Sequence, residues 1–479
     1  RCDSVRPICG PCSRAHRFED CEYLEGGGTS KVQLLEENIH RIQSRIMDLE
    51  ISGGPPTGSG ANRDPYASPG VNYSSLNLSH SLTQPQFRLD TFAPYAHEVG
   101  FFLNQKRFRN TSLHNGNEAP AGLLSAICLW AACVSSAEPL ASQENYFLSQ
   151  ALPMATTFLA SSHRLKILYG IQTEVLLCQY FLHKRRLLEA QYHLSLAVSH
   201  VVLGNLGSIR SAQGSGVLPQ DSIEEGELIA AFWTVFSMDR IWSSALNFLS
   251  NFASPSDIDT PWPLETEEYE RNHLPQQPQS DNTVQRFIED VPGTDHDGLS
   301  CLAILAKSAI LHERATNVAQ QWRSDMSPPE TTAFFQSFTK LNNRIKKFRD
   351  SLPGPNALAS CTIAMKPRMI LAHSVAHAAT IQLNRPFVAA NPQCRELCMK
   401  ACQSIVRIIR AAGLRHMKYI DPIVGSIWSA TGQVLLEEIR RLHTVPTAAA
   451  VVADLMGAYD AIVASAALFS RKCPFMGTS

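Results

Sequence analysis

Four cysteines at the start of the chain constrain it most: Cys2, Cys9, Cys12 and Cys21, spaced C-x6-C-x2-C-x8-C, with Pro7 two residues before Cys9. Two thiolates separated by two residues chelate one tetrahedral zinc from a tight turn, and outlying thiolates close the coordination sphere. The local charge agrees. Arg1, Arg6, Arg14 and Arg17 stand against the single acid Asp3 over residues 1–17. Positive charge favours deprotonated sulfur and attracts phosphate. Residues 1–24 therefore read as a zinc-thiolate module, with the four cysteines as ligands and the four arginines as candidate phosphate contacts. The competing reading is a chance cluster or a set of buried thiols.

The next segment is built for association. After the Gly26-Gly27-Gly28 hinge, Val32, Leu35, Ile39, Ile42, Ile46 and Leu49 recur at alternating spacings of three and four. This heptad puts β-branched Val32, Ile39 and Ile46 at a, with Leu35, Ile42 and Leu49 at d. That pattern favours a parallel two-stranded coiled coil. Lys31 at g would face Glu36 of the partner subunit, and Arg45 at g would face Glu50 of the partner subunit. Residues 25–50 are thus expected to be a hinge and a homodimerising coiled coil, against the alternative of a helix packed on its own chain. Residues 51–85 (ISGGPPTGSGANRDPYASPG and onward) hold few large apolar groups. Such a stretch cannot offset its chain entropy and reads as a flexible linker.

From residue 86 to 479 the pattern is helical, broken by loops, and strand-like alternation is scarce. The expected fold class is mostly α: a small zinc-cluster remnant, a short parallel coiled coil, a linker and a large all-α domain. An apolar fraction of 44% is enough for a large core, and charged residues are 18%. A net charge of −1 means that the chain as a whole is not a polyanion binder. Thirteen cysteines in 479 residues are too sparse for a disulfide scaffold. The chain opens polar, with no apolar h-region. Its longest uncharged apolar run, Ala121 to Val134, falls short of the roughly 20 residues a bilayer needs. Ala448 to Phe469 carries Asp454 and Asp460 and reads as a core helix. An intracellular protein with reduced thiols and no membrane partner is expected. The clearest loop is 251–298, and its acidic part from Asp257 to Asp297 reads as solvated, with an activation surface as the alternative.

One helix draws attention within the large region. Gly226 to Leu249 (GELIAAFWTVFSMDRIWSSALNFL) is apolar at helical spacing, with Leu228, Phe232, Val235, Phe236 and Ile241 among the repeats. Asp239 and Arg240 interrupt it. Adjacent residues point to different faces, and a buried charge requires a partner, so each is expected to find its own partner on another segment.

The string RCDSVRPICGPC resembles the fungal binuclear zinc cluster (Zn(2)-C6 fungal-type) of transcription factors, whose pattern is C-x2-C-x6-C, a loop, C-x2-C and a final C. By that resemblance Cys2 is the third cysteine, Cys9 and Cys12 the fourth and fifth, and Cys21 the sixth. Six thiolates then hold two zinc ions, and Cys9 is one bridging ligand. The first two cysteines and the basic helix that enters the major groove in the family do not occur in this sequence, in which Arg1 would be that helix's last residue. The expectation is a longer natural N-terminus, with about one zinc on the chain as given and two in the complete cluster. Further on, AFWTVFSMDR, containing Trp233, Asp239 and Arg240, resembles the "FWxxFxxDR" signature of the fungal transcription-factor middle homology region. SPSDIDTPWP (Ser254 to Pro263) is similar to its "DIDxxLP" tail, although NFLSNF stands where the family has "LGRP". Ile171 to Asn205 resembles its paired helices, with Leu203-Gly204-Asn205-Leu206-Gly207 departing from the usual "LGLH". Asn384-Arg385-Pro386-Phe387 resembles the "hRPF" that ends a later helix.

Other groupings carry plainer readings. His373 and His377 are an i,i+4 pair without an HExxH motif and read as helix packing rather than a metal site. Cys394, Cys398 and Cys402 form an i,i+4,i+8 stripe that reads as small core residues. No Walker loop, GxSxG or Rossmann fingerprint occurs, so no enzyme is expected. The resemblance implies a nuclear, dimeric, sequence-specific transcription regulator that reads G·C-rich triplet half-sites in double-stranded DNA. It also implies a regulatory domain open to a small-molecule inducer or co-regulator. The alternative is an interaction protein that keeps only the helical domain and the coiled coil.

Overall fold

The computed structural model describes residues 85–479 apart from 115–119, 136, 156–162, 212–218, 247–249, 253–257, 272–280, 292–297, 355–364, 418, 472 and 478–479. The described residues form helices and connecting turns without a strand. The mostly-α fold class holds.

The order begins with α1 (Pro85–Phe92), α2 (Gln105–His114), α3 (Ala121–Val134), the one-turn α4 (Glu138–Ala141) and α5 (Glu144–Ala155). α6 (Lys166–His183) and α7 (Leu187–Leu203) follow, then the long α8 (Ser222–Leu246) and the short α9 (Thr266–Glu270) and α10 (Thr283–Ile288). The second half holds α11 (Cys301–Gln321), α12 (Pro328–Ser351), α13 (Lys366–Asn384), α14 (Pro392–Ala411), α15 (Ile423–Leu442) and α16 (Ala449–Ser470).

Local chemistry explains several boundaries. Ser300 Oγ accepts from the Ala303 amide and starts α11. Ser327 and Glu330 form a capping box ahead of α12, with Pro328 in the first turn, where a missing N–H costs nothing. Asn391 caps α14, with Pro392 again just inside. Arg185 takes a left-handed conformation at φ 59°, and the Arg186 amide reaches back to the Phe181 carbonyl at 2.8 Å. That closes α6 and turns the chain directly into α7. The two helices pack on each other, as the paired-helix resemblance implies.

α8 lies against α11, and α11 lies along α13. Trp130, Trp233 and Trp428 are fully buried in the surrounding core. α14 and α12 bury one face each. On α14 that face is Cys394, Cys398, Ala401, Cys402, Ile405, Ile408 and Ile409, so the cysteine stripe is core.

Two expectations need correction. The described parts of the segment after residue 251 are not simply a solvated loop: Ile258, Thr260, Trp262, Tyr269, Val284 and Phe287 are buried, and they contain α9 and α10. They strap across α8 because their few apolar side chains fit the groove that α8 and its neighbours leave. Nor is the helix near the C-terminus a core helix. α16 packs Leu455, Ala458, Ile462 and Phe469 inward and leaves Val451, Met456, Val463 and Leu468 about half exposed. Its apolar residues, eight alanines and larger side chains together, run round most of the helix, and only one face is covered. By length and composition α16 is long and apolar enough to cross a membrane, but its inward face rests on α14 and α15.

Candidate functional site

α8 organises the centre of the domain. Asp221 Oδ1 accepts from the Glu224 amide at 2.8 Å and starts the helix, and Glu224 and Glu225 complement its N-terminal dipole. Its middle is buried all round, and Trp233, Asp239 and Arg240 there each take partners from other elements.

Trp233, Asp239 and Arg240 point three ways. Trp233 Nε1 donates to the Pro261 carbonyl at 2.7 Å, and its ring stacks on Trp262 at 4.4 Å between centroids. Lys307 of α11 lies 5.0 Å over the Trp262 ring and donates to the Gly298 carbonyl. Gly298 sits at φ +68°, where a Cβ would lie 2.4 Å from Trp262. The strap is therefore locked onto α8 through indole stacking and one backbone acceptor. Its first residues are held as well: the Asp259 and Thr260 amides both donate to the Gly207 carbonyl, at 2.9 and 3.0 Å. The Leu203–Gly207 loop, which departs from the family motif in sequence, is thus the seat of the strap.

Asp239 is fully buried and faces the chain just beyond α8. It accepts from Ser250 Oγ, from Asn251 Nδ2 at 2.8 Å and from the Asn251 amide at 3.1 Å. Arg240 turns the other way. It pairs with Glu313 of α11 and lies 4.9 Å over the Phe236 ring. Each charge has its own partner on a different segment, as expected from their adjacency.

The opposite side of α8 lines a small, mainly apolar pocket of about 50 Å³ with a few polar groups, shared with the turn at His97–Gly100 and with α6, α11, α13 and the start of α15. Its polar groups come from distant segments. Glu98 is pushed up to about 8 by burial, and its Oε2 has no hydrogen-bond partner, nor has Thr234 Oγ1. Burial also depresses His97 to about 4, helped by the neighbouring Arg368 charge. Arg368 donates to the His97 carbonyl at 3.1 Å. Asp421, raised by burial, accepts from Gln179 Nε2 at 3.0 Å and from the Ile423 amide at 3.0 Å. Such a volume admits a few water molecules or a very small polar ligand, and its two unpaired oxygens supply partners for either. Sequence reading missed this group. Its one visible signal was charge set in apolar surroundings, as in Tyr419-Ile420-Asp421-Pro422-Ile423.

The thiols offer little chemistry. Burial raises Cys394, Cys398 and Cys402, which keeps them protonated and poor as nucleophiles or metal ligands. Among the described residues no cluster of three or more His, Cys, Asp or Glu side chains is placed to hold a metal. Cys2, Cys9, Cys12 and Cys21, Arg1, Arg6, Arg14 and Arg17, and the heptad from Val32 to Leu49 lie outside the described residues.

Residues 81–350 match the sequence model of the fungal specific transcription factor domain. The match covers α1 to α12, with α8 and the strap near its middle. No curated protein and no solved structure matches the chain.

Proposed function

The chain belongs to the fungal specific transcription factor domain family, and from that premise we propose that this transcription regulator reads DNA in a sequence-specific way as a nuclear homodimer. The family match carries the proposal. The N-terminal cysteines, arginines and heptad support its finer parts. In this reading Cys2, Cys9, Cys12 and Cys21 are zinc ligands. Arg1, Arg6, Arg14 and Arg17 neutralise phosphates, and Val32, Leu35, Ile39, Ile42, Ile46 and Leu49 form the dimer seam. The hinge between zinc module and coiled coil sets the spacing of G·C-rich triplet half-sites. The helical domain is regulatory, and the cavity behind α8 is where a very small polar inducer would act.

The test uses a protein that includes whatever coding sequence precedes Arg1. Zinc per chain is measured, and the protein is titrated against a CGG-repeat duplex and a scrambled one at two salt concentrations. Zinc binding, a preference for the CGG duplex and a slope of log affinity on log salt of about −0.9 per phosphate contact are expected. A zinc-free protein that treats both duplexes alike would replace this reading with that of an interaction protein.

A further inference from the structure

His373 and His377 stand one turn apart on α13 and line a half-open pocket of about 130 Å³. Arg349 near the end of α12, the following Leu352 to Gly354, and Ser404 and Arg407 of α14 complete its walls. Histidines at this spacing suit a metal, but the charge around them is wrong for one. Two guanidinium groups share the pocket with them, and among the described residues no carboxylate lines it. Asp350, the acid whose charge reaches Arg349, is itself paired with Lys346 at 2.9 Å. A cation placed here would meet two fixed positive charges at short range.

The same walls are rich in hydrogen-bond donors. Arg349 Nε is buried without a partner, as are His373 Nε2 and His377 Nδ1. Arg349 Nη1 is anchored on Thr380 Oγ1 at 2.8 Å, and Arg407 Nη2 on Ser404 Oγ at 2.9 Å. These contacts hold the guanidinium groups in place. Burial keeps both imidazoles neutral, His373 near 4 and His377 near 3, the latter also through Arg349, His373 and Arg407. A neutral imidazole donates from whichever nitrogen carries its proton, and an oxyanion selects that tautomer.

We propose that this pocket binds a phosphate group, either inorganic phosphate or the phosphate monoester of a small metabolite. The dianion matches the two guanidinium charges. Its oxygens can accept from donors on α12, α13 and α14 at once, which suits a tetrahedral oxyanion better than a planar carboxylate. Binding would clamp the three helices together and so tie the stability of this part of the domain to phosphate supply. The site stands independently of the DNA-reading proposal, since it uses none of the N-terminal residues.

Calorimetric titration of the full chain at fixed ionic strength tests it. The ligands are inorganic phosphate, a sugar phosphate, acetate and chloride. Saturable binding of phosphate, a raised melting temperature and little response to acetate or chloride are expected. Tighter binding of the sugar phosphate assigns the site to an ester, and weaker binding to the free ion. Arg407 is exposed, so Arg407→Gln leaves the fold intact and should weaken binding about tenfold or more, the usual loss of one charge-assisted hydrogen bond. Phosphate acting no differently from chloride on the unaltered chain overturns the proposal. So does unchanged affinity in a folded Arg407→Gln protein.

Discussion

Arg240 brings a charge into a largely buried helix at the centre of the domain, and its worth depends on what its loss would strand. The side chain is 5% exposed and its partner Glu313 14%. Arg240→Ala removes the cation over Phe236 and leaves Glu313 with little water to replace it. A loss of about 3–5 kcal/mol is expected, the usual cost of breaking a buried pair, read as a shift in urea midpoint at constant slope. A shift below about 0.5 kcal/mol, the size of an ordinary surface change, would mean that the pair does not hold α8 to α11. Glu98 gives a pH-dependent counterpart. Its ordinary value of 4.5 rises to about 8 in the folded chain, so between those limits the native state keeps a proton that the unfolded state has released. Its contribution to stability is therefore full at and below pH 4.5, falls as pH rises, and levels off above 8. Glu98→Gln keeps the side chain neutral throughout. The variant should match the parent at pH 4 and melt above it at pH 8.5. Equal melting temperatures at both would show that Glu98 is already ionised and solvated at neutral pH.

Helices whose signals are local were legible in the sequence, and elements whose burial depends on distant partners were not. The α6–α7 pair, α8 and the 3₁₀ turn at Arg385–Phe387 all follow from periodicity and motif order. The strap across α8 has no period. Ile258, Trp262 and Tyr269 are isolated apolar residues among prolines and acids, and only the groove beside Trp233 makes them core. α16 fails in the opposite sense. It is apolar round most of its circumference, yet only one face is covered. Site residues divide in the same way. Asp239 and Arg240 were legible because two adjacent charges in an apolar run require separate partners. Glu98, Arg368 and Asp421 meet only through the tertiary fold, and no spacing relates them. His373 and His377 were visible as a pair, but their setting was not, because Arg349 and Arg407 arrive from α12 and α14.

Within the proposed function, association decides how the N-terminal module would work on DNA. One zinc module reads one short half-site, and joining two through a coiled coil turns the second binding event into an intramolecular one. Linkage of that kind raises affinity by about 10²–10⁴ without new contacts. Ile39 is the central a position of the heptad, so Ile39→Lys would set two ammonium groups against each other in an apolar seam. That costs several kcal/mol or separates the chains. Sedimentation should show dimer falling to monomer, while circular dichroism keeps the signal of the helical domain, which has its own core. On DNA the same variant should lose about 100-fold or more in affinity for a paired site and little for a single half-site, because only the linkage is removed. A variant that remains dimeric would place the dimer contact in the helical domain and leave the heptad to pack on its own chain. A monomer that still binds the paired site with full affinity would mean that the second half-site adds nothing, and the dimeric reading of DNA would have to be given up.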